Sequence, residues 1–171
     1  MDITRKSNIM TTLTSKIKVK TLPKRTLAYE SNVGPYKGDS ALFEKLFTKV
    51  SDWAEPKGLL ASPNTEAISV YFDDPDLVPE EKQTIRVGFT VPEGTEPEGE
   101  IQLMELPESE YLVASFEILP AEYEEAWQEI MDFIQSEKLK PAQLMYESYK
   151  NDPRTHPEGK HIVDICIAVE A

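Results

Sequence analysis

The 171-residue chain has one cysteine, two histidines, seven glycines and no apolar run near the ~20 residues that a membrane-spanning helix needs. The lone thiol, Cys166, excludes an internal disulfide framework and suits a reducing compartment. The first fifteen residues are too polar for a secretory signal, so a cytoplasmic protein with no membrane association is expected. His156 and His161 have no partner at metal-ligand spacing. Cys166 follows His161 by five residues, about 17 Å along a strand and on the opposite face, which excludes a Cys–His dyad. G-x-S-x-G elbows, G-x-G-x-x-G turns and P-loops are missing too. No metal and no other cofactor is expected.

Positive charge is also scarce. Eighteen Lys and Arg stand against 31 Asp and Glu, a net charge of −13. Seven of the cations (Arg5, Lys6, Lys16, Lys18, Lys20, Lys24 and Arg25) fall within the first thirty residues, which hold only two acids. The acidic remainder would repel a phosphate backbone, so direct nucleic-acid binding by the main domain is not expected.

What is present is a folded composition, 40% hydrophobic with two tryptophans, and an internal repeat. At an offset of 78, Tyr149 falls on Tyr71, Asp152 on Asp74, Pro153 on Pro75, Pro157 on Pro79, Glu158 on Glu80 and Lys160 on Lys82. Prolines tolerate few positions around strands, so a shared D-P-x-x-x-P-E-x-K run indicates one supersecondary unit used twice. The copies differ where Glu147 replaces Ser69.

Residues 1–16 read as a flexible tail and 17–171 as one binding domain of two repeats, about 17–92 and 100–170. Alternation predicts a strand from Ile17, continued through 27–30 after a kink at Pro23. A helix follows, with the stripe Leu42, Phe43, Leu46, Phe47, Val50 and Trp53, ended by Pro56 and Gly58. Strands are predicted over 68–72 and 85–91. The second half repeats this with extended segments at 101–106 and 111–118 and a helix opened by Pro120 and closed by Pro141. Its stripe is Tyr123, Trp127, Ile130, Met131 and Ile134, and strands at 144–149 and 162–169 complete the half. The fold expected is α+β: a duplicated β-α-β-β unit, with antiparallel sheets, one main helix per half and a central ligand cleft.

Period-two arithmetic then assigns faces. With Ile68, Val70 and Phe72 turned toward the helix, Ala67, Ser69 and Tyr71 turn away, and so do Met145, Glu147 and Tyr149. The small residues Gly88, Cys166 and Ala168 leave room above the sheet, either a groove or simply a solvated side. A carboxylate beside aromatic and thioether surface suits an organic cation. The alternative is an ordinary exposed glutamate of an acidic protein.

Several stretches resemble the GyrI-like small-molecule-binding family: V-G-P-Y from Val33 to Tyr36, the helix ending in Trp53, and V-Y-F-D-D-P from Val70 to Pro75. M-Y-E-S-Y from Met145 to Tyr149 and D-I-C-I-A-V from Asp164 to Val169 add to the likeness, which runs from about Ile17 to the C-terminus. The resemblance implies a duplicated fold with a cleft between its halves and Glu147 at the acidic ligand-binding position. It also implies Tyr36, Trp53, Tyr71 and Tyr149 as cleft walls, with Met145 beside them. No DNA-binding domain accompanies these motifs, so the function expected is a stand-alone protein binding amphipathic or cationic ligands. Two alternatives stay open. One is a hydrolase of cyclopropane-containing toxins using Glu147 and Tyr149. The other is a gyrase-inhibitor-like module acting on a protein partner.

Overall fold

A computed structural model describes residues 14–73 and 77–170. Most of the expected tail, with Arg5 and Lys6, lies outside the described residues, as do Asp74 and Pro75 of the first repeated turn. The elements are β1 (Thr14–Leu22), β2 (Arg25–Val33), α1 (Ser40–Ala54), β3 (Ala67–Tyr71), β4 (Thr84–Val91), β5 (Gln102–Leu106), β6 (Ser109–Ile118), α2 (Tyr123–Ser136), β7 (Pro141–Tyr149) and β8 (His161–Val169).

Local chemistry sets the helix ends. Asp39 Oδ1 accepts the Leu42 N–H at 3.0 Å, satisfying one free donor of the first turn of α1. After α1, Gly58 takes a left-handed φ of +72°, and Leu59 N–H returns to the Ala54 carbonyl. Glu124 and Glu125 occupy the first turn of α2, where the helix dipole favours negative charge. That helix stops at Ser136, not at Pro141. Lys138 turns the chain with φ +54°, and Pro141 opens β7.

The eight strands form one antiparallel sheet in the order β1-β6-β8-β7-β3-β4-β2-β5, an α+β architecture. Pro23 does not kink one strand, as expected, but separates two. β1 pairs with β6, while β2 lies between β4 and β5. Six strand spacings separate β1 from β2, about 29 Å in a flat sheet. Yet only Pro23 and Lys24 join them, a reach of about 11 Å. Pro107 and Glu108 join β5 to β6 across the same six spacings. The sheet must therefore curl until its ends approach.

Curling buries the face away from the helices. Leu27, Ile68, Val70, Leu106, Tyr111, Val113, Tyr146, Cys166 and Ala168 form one cluster there. Across it Arg25 of β2 reaches β7, donating to the Tyr146 hydroxyl at 2.6 Å and to Glu66 at 2.8 Å. Gly88 leaves no room above the sheet, contrary to expectation: a Cβ there would lie 1.8 Å from the Ala28 carbonyl oxygen. Cys166 is buried within the same cluster, and desolvation pushes its thiol up to about 12, so it is an unreactive packing residue.

Both helices cover the other face. Register shows this, because directly paired residues point the same way. Val87, Ser69, Glu147 and Ile165 form one row across β4, β3, β7 and β8. Val87 packs against α1 through Leu46, and Ile165 packs against α2 through Ala126 and Ile130. Glu147 thus sits on the helix side of the sheet. The expected direction was inverted, since Ile68 and Val70, assigned to the helices, fill the closed face instead.

Candidate functional site

β3 and β7 are the two central strands, and their helix-side residues occupy the strip between the parts of the sheet covered by α1 and α2. Three rows cross it: Tyr71 with Met145, Ser69 with Glu147, and Ala67 with Tyr149. Glu147 is only 5% exposed, and its burial is the first question the site poses.

The answer is a set of neutral donors. Tyr71 donates its hydroxyl hydrogen to Glu147 Oε1 at 2.8 Å, and Tyr149 donates to the same oxygen at 2.6 Å. Tyr149 also lies 3.1 Å from Ser69 Oγ. A phenol has one hydrogen, and the carboxylate can only accept it, so Ser69 must donate to Tyr149. The relay runs from Ser69 through Tyr149 to Glu147. Burial raises the pKa of Glu147, opposed by the hydrogen bonds from Tyr149 and Tyr71 and by the Trp127 indole, and no Lys or Arg among the described residues contributes. Among the described residues, the buried carboxylate has no countercharge. The tyrosines are shifted upward by burial first and by the Glu147 charge second, so both remain protonated donors.

Aromatic rings close around this group. The Tyr36 ring lies 5.6 Å from Tyr71 and 6.3 Å from Phe43 of α1. Phe47, one helical turn on, meets Tyr149 edge-on at 5.8 Å and Phe89 at 5.5 Å. From α2, the Trp127 indole favours the charged form of Glu147. Tyr123 raises its own phenol through burial and the Glu147 charge, while its hydroxyl meets His161 Nδ1 at 2.8 Å. Ring faces carry negative potential, so a cation here would find both a charge and a π surface.

The structure therefore brings together Glu147, Tyr149, Tyr71 and Tyr36, with Met145 one row away and packed toward α2. Trp53 is not brought there. It ends α1 among Ala28, Val50, Val91 and Ile101, its indole N–H donates to Glu98, and Lys57 lies over its ring. A shallow groove of about 380 Å³ runs past it, lined also by Glu30, Lys49 and residues 98–101. Phe43, Phe47, Tyr123 and Trp127 were missed as site residues because their helical spacing assigned them to the core. Their signal was the aromatic pair four residues apart on each helix.

Removing a donor tests the relay. In Tyr71→Phe and in Tyr149→Phe, Glu147 should hold its proton to higher pH, because each hydroxyl favours the ionised form. The infrared signal of the protonated carboxyl, identified by its loss in Glu147→Gln, reports the midpoint. An unchanged midpoint in both variants would show that neither hydroxyl supports the charge.

Comparison with known proteins bears on the family and the fold. Residues 15–170 match the family described as the GyrI-like small molecule binding domain. A DNA gyrase inhibitor of Citrobacter rodentium is 28% identical over 160 residues, spanning 89% of this chain and 95% of that protein. The crystal structure of the EcmrR C-terminal domain superposes with a TM-score of 0.75 at 15% identity, covering 91% of this chain and 98% of that one. SAV2435, solved bound to tetraphenylphosphonium, superposes with a TM-score of 0.60 at 15% identity, covering 91% and 94%. At such identities the two structures speak for the fold, and the sequence match across nearly the whole chain speaks for kinship. The chain belongs to the GyrI-like family of small-molecule-binding domains.

Proposed function

We propose that this protein binds lipophilic organic cations in a cleft between α1 and α2, with Glu147 as its floor. The observation that carries the reading is a buried carboxylate held by two tyrosine hydroxyls, with no cation of the described residues among its stabilising groups. A ligand cation about 5 Å away, at an effective dielectric near 20, would gain about 3 kcal/mol of attraction. The aromatic rings would add contact to an apolar cation. The two hydroxyls already satisfy one carboxylate oxygen, so the ligand is selected by charge and shape more than by N–H donors. A phosphonium or quaternary ammonium with aryl groups fits that chemistry, and one fold relative was solved with tetraphenylphosphonium.

The cleft in this reading lies on the seam of a duplicated unit, β2-α1-β3-β4 and β6-α2-β7-β8. Residues 78 apart support the duplication. Asp73 Oδ2 accepts the Thr84 N–H, and Asn151 Oδ1 accepts the Ile162 N–H at 2.8 Å. Phe72 N–H bonds to the Thr84 carbonyl, and Lys150 N–H bonds to the Ile162 carbonyl. Ser69 and Glu147, also 78 apart, pair directly at the seam. Both tyrosines donate their hydrogen bonds to Glu147, an arrangement suited to holding a charge and less to activating water for hydrolysis.

Titration tests the proposal. In a Trp53→Phe background, Trp127 is the only tryptophan and reports on the strip beside Glu147. Tetraphenylphosphonium should change its fluorescence saturably with one equivalent bound. A signal that neither saturates nor depends on Glu147 would remove the reading.

A further inference from the structure

The connection from β2 to α1 is built unlike its counterpart. β6 is joined to α2 by a tight turn at residues 119–122, where Glu122 N–H bonds to the Leu119 carbonyl at 2.9 Å and Glu122 Oε1 accepts the Leu119 N–H at 2.7 Å. β2 is joined to α1 by residues 34–39. Gly34 and Gly38, with φ of +130° and +73°, flank Pro35, Tyr36 and Lys37. A Cβ added at either glycine would touch nothing within 4 Å. The two glycines therefore serve backbone conformations that other residues resist, not a close approach.

The loop is anchored at Gly34 and Asp39 and lightly held between them. Gly34 N–H donates to the Gln83 carbonyl at 2.9 Å, and Asp39 caps α1. Between the anchors, the Tyr36 carbonyl accepts the Asp39 N–H at 3.0 Å, and the Tyr36 ring rests on Tyr71 and Phe43. Tyr71 is one of the two donors to Glu147, so Tyr36 covers the carboxylate at one remove. With Glu147 5% exposed, an aryl cation can reach it only if a covering group moves.

We propose that residues 34–38 form the lid of the cleft, swinging about Gly34 and Gly38, with Tyr36 as its latch on Tyr71. This rests on the reading of Glu147 as the ligand site. A wall residue and a latch differ kinetically. Losing a wall contact speeds dissociation alone, whereas losing a latch also speeds association, because opening no longer limits entry.

The test uses the full chain carrying Trp53→Phe, with stopped-flow mixing against tetraphenylphosphonium and, separately, acrylamide quenching of Trp127. Tyr36→Ala should raise the association rate constant fivefold or more and the quenching constant threefold or more, while Tyr36→Phe, which keeps the ring, stays near the parent in both. An association rate within twofold of the parent overturns the lid. If the parent does not bind tetraphenylphosphonium, the cation reading has failed, and the quenching constant alone decides: a rise keeps the lid and an unchanged value overturns it. Should Tyr36→Ala not fold, hydrogen exchange of the parent decides. The Asp39 amide should exchange at least tenfold faster than the Leu46 and Val50 amides within α1, and equal protection overturns the lid.

Discussion

Glu147→Gln is expected to weaken tetraphenylphosphonium binding by about 30- to 100-fold, or ~2–3 kcal/mol, while the protein gains stability at alkaline pH. The two effects share one cause. The substitution keeps the shape of the side chain and an oxygen to accept from Tyr71 and Tyr149, but removes the charge those groups hold without a countercharge. Burial raises the folded-state pKa of Glu147 above its ordinary value of 4.5. A carboxyl shifted in that direction supports the fold fully below pH 4.5, where it is protonated in both states. It loses that contribution as pH rises through the folded-state value. Glutamine mimics the protonated form at every pH. Melting temperatures of the parent and Glu147→Gln should therefore agree near pH 4, with the variant melting higher at pH 8. Isothermal titration measures the binding loss, and unchanged affinity would show that the charge does not recruit the ligand.

Gly88→Ala is expected to destabilise the fold by about 3 kcal/mol or more, lowering the melting temperature by roughly 6–12 °C. The new methyl group would fall 1.8 Å from the Ala28 carbonyl oxygen and 2.8 Å from the Tyr29 Cα, both backbone atoms of the neighbouring strand. A flexible side chain could turn aside; paired backbone cannot move without breaking the β2–β4 ladder. Thermal unfolding followed by circular dichroism measures the loss. A melting temperature within 2 °C of the parent would mean that β2 has freedom to withdraw, which its pairing with both β4 and β5 opposes.

Much of the candidate site's layout was legible before any tertiary information. The 78-residue offset set Ser69 against Glu147, and these residues pair directly at the centre of the sheet. Period two also grouped Met145, Glu147 and Tyr149 on one face, as the rows across β3 and β7 have them. Which face that was could not be read. In β3, Ile68 and Val70 offered the stronger hydrophobic set and were assigned to the helices. In a sheet covered on one side that choice is sound, but here the other side is buried as well. Both alternating sets then look like core. Trp53 could not be placed for a related reason: a tryptophan at the end of an apolar stripe carries no mark of which end of the helix lies by the two central strands.

The amino-acid sequence by itself determined the helices, most of the strands, the repeat and the uneven spread of charge. Those properties depend on neighbours within a few residues, through side-chain period, capping groups and turn-forming prolines and glycines. Only the tertiary structure decided that Pro23 and Pro107 carry the chain across a curled sheet, and that curling buries the face opposite the helices. It alone brought Phe43 and Phe47 of α1 and Trp127 of α2 to the two central strands, around a carboxylate held by two tyrosines. Such contacts join residues 76 or more positions apart in some cases, and pairing register, not local preference, sets them.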